Sequence, residues 1–177
     1  ANSYKVPVIS GSATSNDVTV VNGKVQEYAF RICFSDSFQG EAMAKYAAQT
    51  LGAKTAVIYK DSSSDYALGL AEGFAAAFAD EGGSILKEES YTSNDKDFNA
   101  VLTSIKDLNA DVIYVPGYYQ QAGLIIKQAR EQGIDVPILG ADGFDSPDLL
   151  GLAGAENLNN VFFTNHYSSL DQDPVVQ

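Results

Sequence analysis

Two short segments of the sequence carry side chains that could bind a small charged molecule. The turn GSATS (11–15) brings the hydroxyls of Ser12 and Thr14 next to backbone N–H groups, and the turn GADGF (140–144) holds Asp142 between small residues. Hydroxyl and amide donors suit a carboxylate, because each carboxylate oxygen accepts two or more hydrogen bonds. An accessible aspartate suits an ammonium group. The common alternatives are a Ser/Thr-rich turn and a turn aspartate that bonds its own backbone.

Two tyrosines follow predicted strands. Tyr66 in DYALG (65–69) lies where a helix begins, and Tyr118 in PGYYQ (116–120) comes directly after an apolar strand. Each tyrosine alone is a weak signal, since an aromatic ring can simply pack on the rim of a sheet. Both, however, fall on the same predicted sheet edge as Asp142.

Motifs of the common enzyme classes are absent. The sequence contains no G-x-G-x-x-G, no G-x-x-x-x-G-K-[ST] and no G-x-S-x-G. Asp61 and Asp142 both follow strands, but neither has the second carboxylate and the lysine that a phosphoryl-transfer pocket needs. With one cysteine, Cys33, and one histidine, His166, an intramolecular disulfide and a thiolate metal site are excluded. We therefore expect no catalytic residues, no cofactor and no metal.

The segments around these side chains predict strands that alternate with helices. Nearly all-apolar runs that end in polar clusters are followed by stretches with apolar residues at helical spacing. The predicted strands are TAVIYKD (55–61), ILKEESY (85–91), DVIYVPG (111–117), VPILGAD (136–142) and NVFFTNHY (160–167). The predicted helices are 66–83, 92–109 with Asn94 or Asp95 as N-cap, 119–133, and 146–154 with Pro147 at an early position.

Residues 1–53 predict a looser arrangement. A strand in VPVIS (6–10) leads into the GSATS turn, a second strand spans EYAFRICF (27–34), and a helix spans QGEAMAKYAAQTLG (39–52). These elements come before the regular alternation that starts at Lys54.

Nearly apolar strands between helices indicate a parallel sheet that is covered on both faces. The predicted fold class is therefore α/β, with three layers in the order α/β/α. Ligands of such sheets bind outside the carboxyl ends of the strands. Those ends are residues 61–65, Tyr91, and residues 116–119, 141–144 and 165–167.

The composition limits the number of domains and the kinds of partner that the protein can have. The chain has 177 residues, 45% of them hydrophobic, which is enough for one well-packed domain or for one domain and parts of a second. Its formal net charge of −12 disfavours nucleic acid and anionic membranes as partners. No signal peptide is recognised, but the first residues already look like the middle of a fold, so that absence carries no weight.

Several of these segments together resemble the branched-chain amino acid-binding proteins of ABC importers, which have the type I periplasmic-binding-protein fold. The resemblance covers essentially the whole chain, in the family's order and spacing. The segments that carry it are VPVISGSATSNDVT, YAFRICFSDSFQGEAMAKYAA, AVIYKDSSSDYALGLAEGF, DKDFNAVLTSIK, YVPGYYQQAGLIIKQARE, PILGADGF and YSSLDQDP.

The resemblance implies two α/β lobes that close on a ligand. Residues 1–34 would be part of lobe 1, with the ligand-carboxylate loop and a hinge strand. Residues 35–164 would form a complete lobe 2, and residues 165–177 the hinge and the return to lobe 1. The chain would then be the middle portion of a longer protein.

The resemblance also implies which residues bind the ligand. Thr14 with Ala13 would meet its carboxylate, the tyrosines would line the pocket, and Asp142 would hold its ammonium group. Asp142 stands where relatives commonly have Glu, which leaves room for a larger ligand, a bridging water or a different amine. The implied ligand-binding residues are Ser12, Ala13, Thr14, Tyr66, Tyr118, Asp142 and Gly143. Tyr119 is predicted to pack under the helix that follows it.

The resemblance implies an extracytoplasmic solute-binding component that delivers an amino acid, branched-chain or aliphatic, to an ABC permease in the membrane. It would work in the periplasm or lipid-anchored on the outer cell surface. Alternatives are a sensory or regulatory ligand-binding domain of the same fold, an enzyme on a flavodoxin-like sheet, and an excised lobe with little binding of its own. Lobe 1 strands without partners would favour a dimer or a domain swap.

Overall fold

The computed structural model describes residues 1–168 and 170–175. The N-terminal strands are β1 (Val8–Ser10), β2 (Val20–Val21), β3 (Lys24–Val25) and β4 (Ala29–Arg31). β1 pairs with β4 in parallel, and β2 forms an antiparallel hairpin with β3. Asn22 and Gly23 connect the hairpin with φ of 49° and 73°, as a type I′ turn requires. This hairpin was not among the predicted elements, although Asn-Gly between valines is a known signal for one.

A single parallel sheet forms the centre of the structure, as predicted. Its strand order is β6-β5-β7-β8-β9, and every neighbouring pair is parallel. The five strands are β5 (Thr55–Asp61), β6 (Ser84–Tyr91), β7 (Val112–Tyr114), β8 (Ile138–Gly140) and β9 (Val161–Phe163). Every residue of β7 and β8 is buried, which explains their unbroken apolar sequence.

Helices cover both faces of this sheet. They are α1 (Asp36–Lys45), α2 (Asp65–Asp80), α3 (Asn99–Lys106), α4 (Tyr119–Glu131) and α5 (Asp148–Ala153). Met43 of α1 and Phe74 of α2 belong to the apolar core on one face. Leu102 of α3, Ile125 of α4 and Leu149 of α5 belong to the core on the other. The predicted three-layer α/β/α fold is thus confirmed.

Two predicted helix starts are wrong, because the side chains of Ser35 and Asp95 bond backbone groups other than those expected. The helix predicted from residue 39 begins at Asp36, since the Ser35 hydroxyl accepts the backbone N–H of Phe38 at 3.3 Å. It then continues into a π-helical turn at Tyr46–Thr50. The helix predicted with Asn94 or Asp95 as N-cap begins only at Asn99. Asp95 instead closes a turn by accepting the backbone N–H of Thr92 at 2.7 Å.

Several strands are shorter than predicted, because only part of each apolar run pairs. The run 160–167 contributes only Val161–Phe163 to the sheet, and the following residues leave it. The predicted return segment 165–177 includes residues 169, 176 and 177, which lie outside the described residues. Within the described part of the chain, no helix has the length and apolar character needed to cross a membrane.

Candidate ligand-binding site at the carboxyl edge of the sheet

Asp142 is the centre of a hydrogen-bond network at the carboxyl end of β8. It opens a 3-10 turn, Asp142–Phe144, directly after the strand. Its Oδ1 accepts hydrogen bonds from the Gln39 amide, at 3.1 Å, and from the Tyr66 hydroxyl. The Gln39 carbonyl oxygen in turn accepts the backbone N–H of Asp142, at 3.2 Å, and the hydroxyl of Thr164, at 2.8 Å. The carboxylate is therefore held in one orientation by α1 and α2.

The second carboxylate oxygen of Asp142 is the one left for a cation. Its Oδ2 lies 3.3 Å from Nε2 of His166, whose side chain is 34% exposed. The His166 ring stacks on Phe34, with centroids 4.1 Å apart and planes 5° apart. An ammonium group that reaches Oδ2 would meet His166 on its way, so the histidine borders the site.

Tyr66 and Tyr118 form an aromatic wall beside Asp142. Their rings stack with centroids 5.0 Å apart. Tyr118 is 48% exposed, whereas burial and the neighbouring Asp142 hold the pKa of Tyr66 above its usual range. Tyr66 therefore stays a neutral donor to Asp142. Tyr119 is partly buried against the core on the other face of the sheet, which confirms its predicted packing role.

Gly143 fits between these groups because it has no side chain. A Cβ at this position would lie 2.5 Å from the backbone oxygen of Gly117, 3.1 Å from the Tyr66 hydroxyl and 3.2 Å from the Tyr118 ring. Its backbone N–H donates to the Tyr66 hydroxyl at 3.0 Å. The structure thus brings Tyr66, Tyr118, Asp142 and Gly143 into direct contact.

The GSATS turn is ordered largely by its own hydrogen bonds. The backbone N–H groups of Ser12 and Ala13 donate to the Ser10 hydroxyl, at 3.3 and 2.9 Å, so they are less available than the sequence suggested. Ser12 is exposed and Ala13 partly exposed. Thr14 is 5% exposed, and its carbonyl accepts the backbone N–H of Asp36 at 2.9 Å. That bond ties the turn to the start of α1.

Asp36 links the turn to the Asp142 network. It is 1% exposed, and burial raises the pKa of its carboxyl from 3.8 to about 6. Thr14 and Arg31 lower this pKa, and the nearby negative charge of Asp142 raises it. Asp36 therefore connects the two parts of the arrangement, since its backbone N–H bonds Thr14 and its carboxyl lies within electrostatic reach of Asp142.

Three residues of this arrangement were missed by the sequence analysis. Gln39 and Asp36 lie within a predicted helix or next to it, and nothing in the local pattern shows that a polar side chain there is buried. Their burial, 1% exposed each, is a tertiary property. His166 was not among the predicted ligand-binding residues, and its partners Phe34 and Asp142 are distant in sequence.

The site combines a fixed carboxylate with a histidine and two aromatic rings. Its carboxylate is bonded by the neutral donors Gln39 and Tyr66, and its histidine stacks on Phe34 beside Asp142. Within the described residues, no cluster of three His, Cys, Asp or Glu side chains could hold a metal ion. Such a geometry suits binding of a small zwitterion.

Comparison with known proteins identifies the family. The family model described as "Periplasmic binding protein" matches residues 1–177. Leu/Ile/Val-binding protein homolog 3 of Brucella melitensis is 32% identical over 160 residues, which is 90% of this chain and 42% of that protein. The leucine-specific-binding protein of Salmonella typhimurium is 30% identical over 169 residues, 94% of this chain and 44% of that protein.

Solved structures agree in fold. The leucine-binding protein LivK of Thermotoga maritima superposes with a TM-score of 0.88 at 39% identity, covering 95% of this chain and 46% of that one. LivJ of Streptococcus pneumoniae in complex with isoleucine gives a TM-score of 0.86 at 41% identity, covering 96% of this chain and 47% of that one. The chain spans less than half the length of these relatives. It has the type I periplasmic-binding-protein fold and belongs to the periplasmic binding protein family.

Proposed function

We propose that this chain supplies lobe 2 and part of lobe 1 of a solute-binding protein that binds an aliphatic or branched-chain amino acid. The observation that carries the proposal is Asp142, with Oδ1 bonded by Gln39 and Tyr66 and with Oδ2 3.3 Å from Nε2 of the partly exposed His166. The isoleucine complex of LivJ supports the ligand class. The partner would be an ABC permease, and the protein would work outside the cytoplasm.

The charges of an amino acid explain why this arrangement is needed. Removing a carboxylate and an ammonium group from water costs several kcal/mol for each ion unless both are paired and hydrogen-bonded. Asp142 would pair with the ammonium group, and the turn with Ser12, Ala13 and Thr14 would receive the carboxylate. The stacked rings of Tyr66 and Tyr118 would cover the apolar side chain.

The lobe boundaries remain those expected from the sequence: 1–34, 35–164 and 165–177. All five strands of the sheet lie between residues 55 and 163, whereas β1 and β4, within the described part of the chain, pair only with each other. Phe34 and His166 stack at the two points where the chain would pass between the lobes. These observations support crossings near residues 34–35 and 164–165.

The test is calorimetric titration of leucine, isoleucine and valine, with glycine as the control ligand. It compares this chain with a chain completed to the family's full length. If the completed protein binds at about 1 μM, or −8 kcal/mol, loss of half the contacts leaves about −4 kcal/mol, which is near millimolar. We therefore expect tight binding by the completed chain and almost none by this one.

Asp142→Asn tests the assigned residue in the completed chain. Removing one partner of a buried ion pair costs about 2–5 kcal/mol, so affinity should fall by at least ~30-fold. Asp145→Asn is the matched control. Asp145 is exposed and lies three residues after Asp142, and its substitution changes the net charge by the same amount. Equal affinities for the two variants would contradict the assignment. Absence of binding for every amino acid would contradict the proposed function.

A further inference from the structure

His166 is held in a fixed position beside Asp142. Its Nε2 lies 3.3 Å from Oδ2 of Asp142, and its ring stacks on Phe34 with centroids 4.1 Å apart and planes 5° apart. Its backbone N–H donates to the side-chain oxygen of Asn165 at 2.8 Å. The side chain is still 34% exposed, so solvent protons can reach the ring.

The carboxylate of Asp142 has one acceptor position left for a ligand. A carboxylate accepts about four hydrogen bonds, two on each oxygen. Oδ1 accepts from Gln39 and Tyr66, and a neutral His166 that donates from Nε2 takes one position on Oδ2. The remaining position on Oδ2 is available to one N–H of a ligand ammonium group.

Asp142 has no fixed cation among the described residues. Its ion-pair partner there is His166, and no lysine or arginine pairs with it. Around the ring, the segment before α1 presents the uncharged Phe34, and the turn after β8 also presents Asp145, which accepts from Asn165 at 2.8 Å. The buried Asp36 of α1 acts on Asp142 as a further acid. Protonation of His166 would therefore neutralise a carboxylate that has no other counter-ion.

The charge of His166 decides what Asp142 offers to a ligand. Beside a neutral ring, Asp142 keeps its negative charge and can repay the cost of removing an ammonium group from water. Beside a protonated ring, Asp142 is already paired, and an ammonium group at Oδ2 would lie next to a second positive charge. Proton and ligand would then compete for one carboxylate.

We propose that His166 is a positioning residue of the ammonium site: its neutral ring fixes Oδ2 of Asp142 for the ligand, and its protonated ring replaces the ligand as the cation. This inference rests on the proposed function, with Asp142 as the ammonium partner. In acid, the arriving ligand displaces one proton from His166, and that proton passes to solvent. The completed protein would thus hold its amino acid at neutral pH and release it in acid.

The sign of the pH dependence follows from this competition. Histidine side chains change charge between pH 5 and pH 8, with an ordinary midpoint near pH 6.5. Binding that releases a proton becomes stronger as the pH rises, by up to ~10-fold for each pH unit below the midpoint. Affinity for leucine should therefore be about 10-fold weaker at pH 5.5 than at pH 8.

The experiment is calorimetry with leucine on the completed chain at pH 5.5, 6.5 and 8, in buffers with different heats of ionisation. We expect the wild type to release close to one proton at pH 5.5 and almost none at pH 8. In His166→Gln, the ratio of the affinities at pH 8 and pH 5.5 should fall from about 10 to below ~2, without proton release. The comparison uses this ratio within each protein, so a general loss of affinity in the variant does not affect it.

Asp36 needs its own control, because burial raises the pKa of its carboxyl to about 6 and its charge acts on Asp142. Asp36→Asn should keep the affinity ratio that His166→Gln loses. A ratio that persists in His166→Gln would overturn the inference, and so would one that vanishes in Asp36→Asn.

NMR of this chain tests the pair of His166 and Asp142 without a ligand. The sequence contains one histidine, so its ring signals need no assignment. An opposite charge nearby favours the protonated ring, so the signals should change at lower pH in Asp142→Asn than in the wild type. Identical curves would overturn the inference alone, as would tight leucine binding without a pH dependence. No leucine binding at any pH would overturn the proposed function as well.

Discussion

At the scale of single residues, two neighbouring tyrosines have different roles. Tyr66 and Tyr118 share one ring stack, but the Tyr66 hydroxyl donates to Asp142 and accepts from the backbone N–H of Gly143. Tyr118 is half-exposed at the cleft edge. The ring of each tyrosine can therefore cover a ligand, while the Tyr66 hydroxyl, together with the Gln39 amide, orients the Asp142 carboxylate.

Replacing each tyrosine by phenylalanine separates these roles. Tyr66→Phe leaves the partly buried N–H of Gly143 without its acceptor and removes a bond to a charged group, so it should destabilise this chain by about 1–3 kcal/mol. Ligand affinity of the completed chain should fall ~10-fold or more. Tyr118→Phe keeps the stack and should change stability and ligand affinity little. Urea unfolding measures the stability and calorimetry the affinity. Equal stability of the two variants would refute the role of the Tyr66 hydroxyl.

The residues that could be predicted are those that follow strands in the sequence. Tyr66, Tyr118 and Asp142 belong to loops at the carboxyl edge, and a parallel sheet brings such loops together. Gln39 could not be predicted in the same way. It meets Asp142 across 103 positions of sequence and belongs to a helix whose polar residues are mostly exposed.

At the scale of elements, the contact between α1 and α2 depends on a glycine. A Cβ at Gly40 would lie 2.6 Å from the backbone N of Phe74 and 2.7 Å from the backbone O of Leu70. Backbone atoms cannot rotate away as a side chain can. The two helices therefore approach each other as closely as they do because residue 40 has no side chain, and this approach places Gln39 next to Asp142.

Gly40→Ala should consequently destabilise the fold, by about 1–3 kcal/mol, as expected for overpacking. By helix propensity alone, replacing glycine with alanine stabilises a helix by about 1 kcal/mol. A loss of stability in Gly40→Ala would therefore be due to packing. Gly151→Ala in α5 is the control, because nothing lies within 4 Å of the added Cβ, and it should stabilise. Thermal unfolding followed by circular dichroism distinguishes the two. A Gly40→Ala protein as stable as Gly151→Ala would disprove the close packing.

The order and type of the main elements could be predicted from periodicity, because most strands are largely apolar and the helices that follow carry apolar residues at helical spacing. Their boundaries could not. The start of α1 depends on the Ser35 hydroxyl, and the start of α3 on Asp95 bonding Thr92 instead of a helix N–H. Several candidate caps occur in each segment, and packing selects among them.

At the scale of the whole molecule, β1 and β4 form a small, poorly covered sheet. Ile9 pairs in register with Phe30, and these side chains are 68% and 48% exposed. Ile32, just after β4, is 82% exposed. A two-stranded sheet with free edges and an apolar face offers a site for pairing with a second chain. The dimer or domain swap expected from the sequence would form here.

We expect this chain to dimerise at micromolar concentration, as measured by light scattering after size exclusion. Ile9→Lys should shift it toward monomer, because a charge on the apolar face opposes association. Leu150→Lys is the matched control, since Leu150 is 54% exposed on α5, a helix that packs on α4. A monomeric wild type, or a dimer insensitive to Ile9→Lys, would rule out this interface.

The stack between Phe34 and His166 has a consequence for protein engineering. Together with the bond of 2.8 Å between Thr164 and Gln39, it brings the two ends of residues 35–164 side by side. A segment whose ends adjoin can be inserted into a surface loop of an unrelated host with little strain on either partner. Residues 35–164 could therefore be carried by a host between two neighbouring positions of one surface loop.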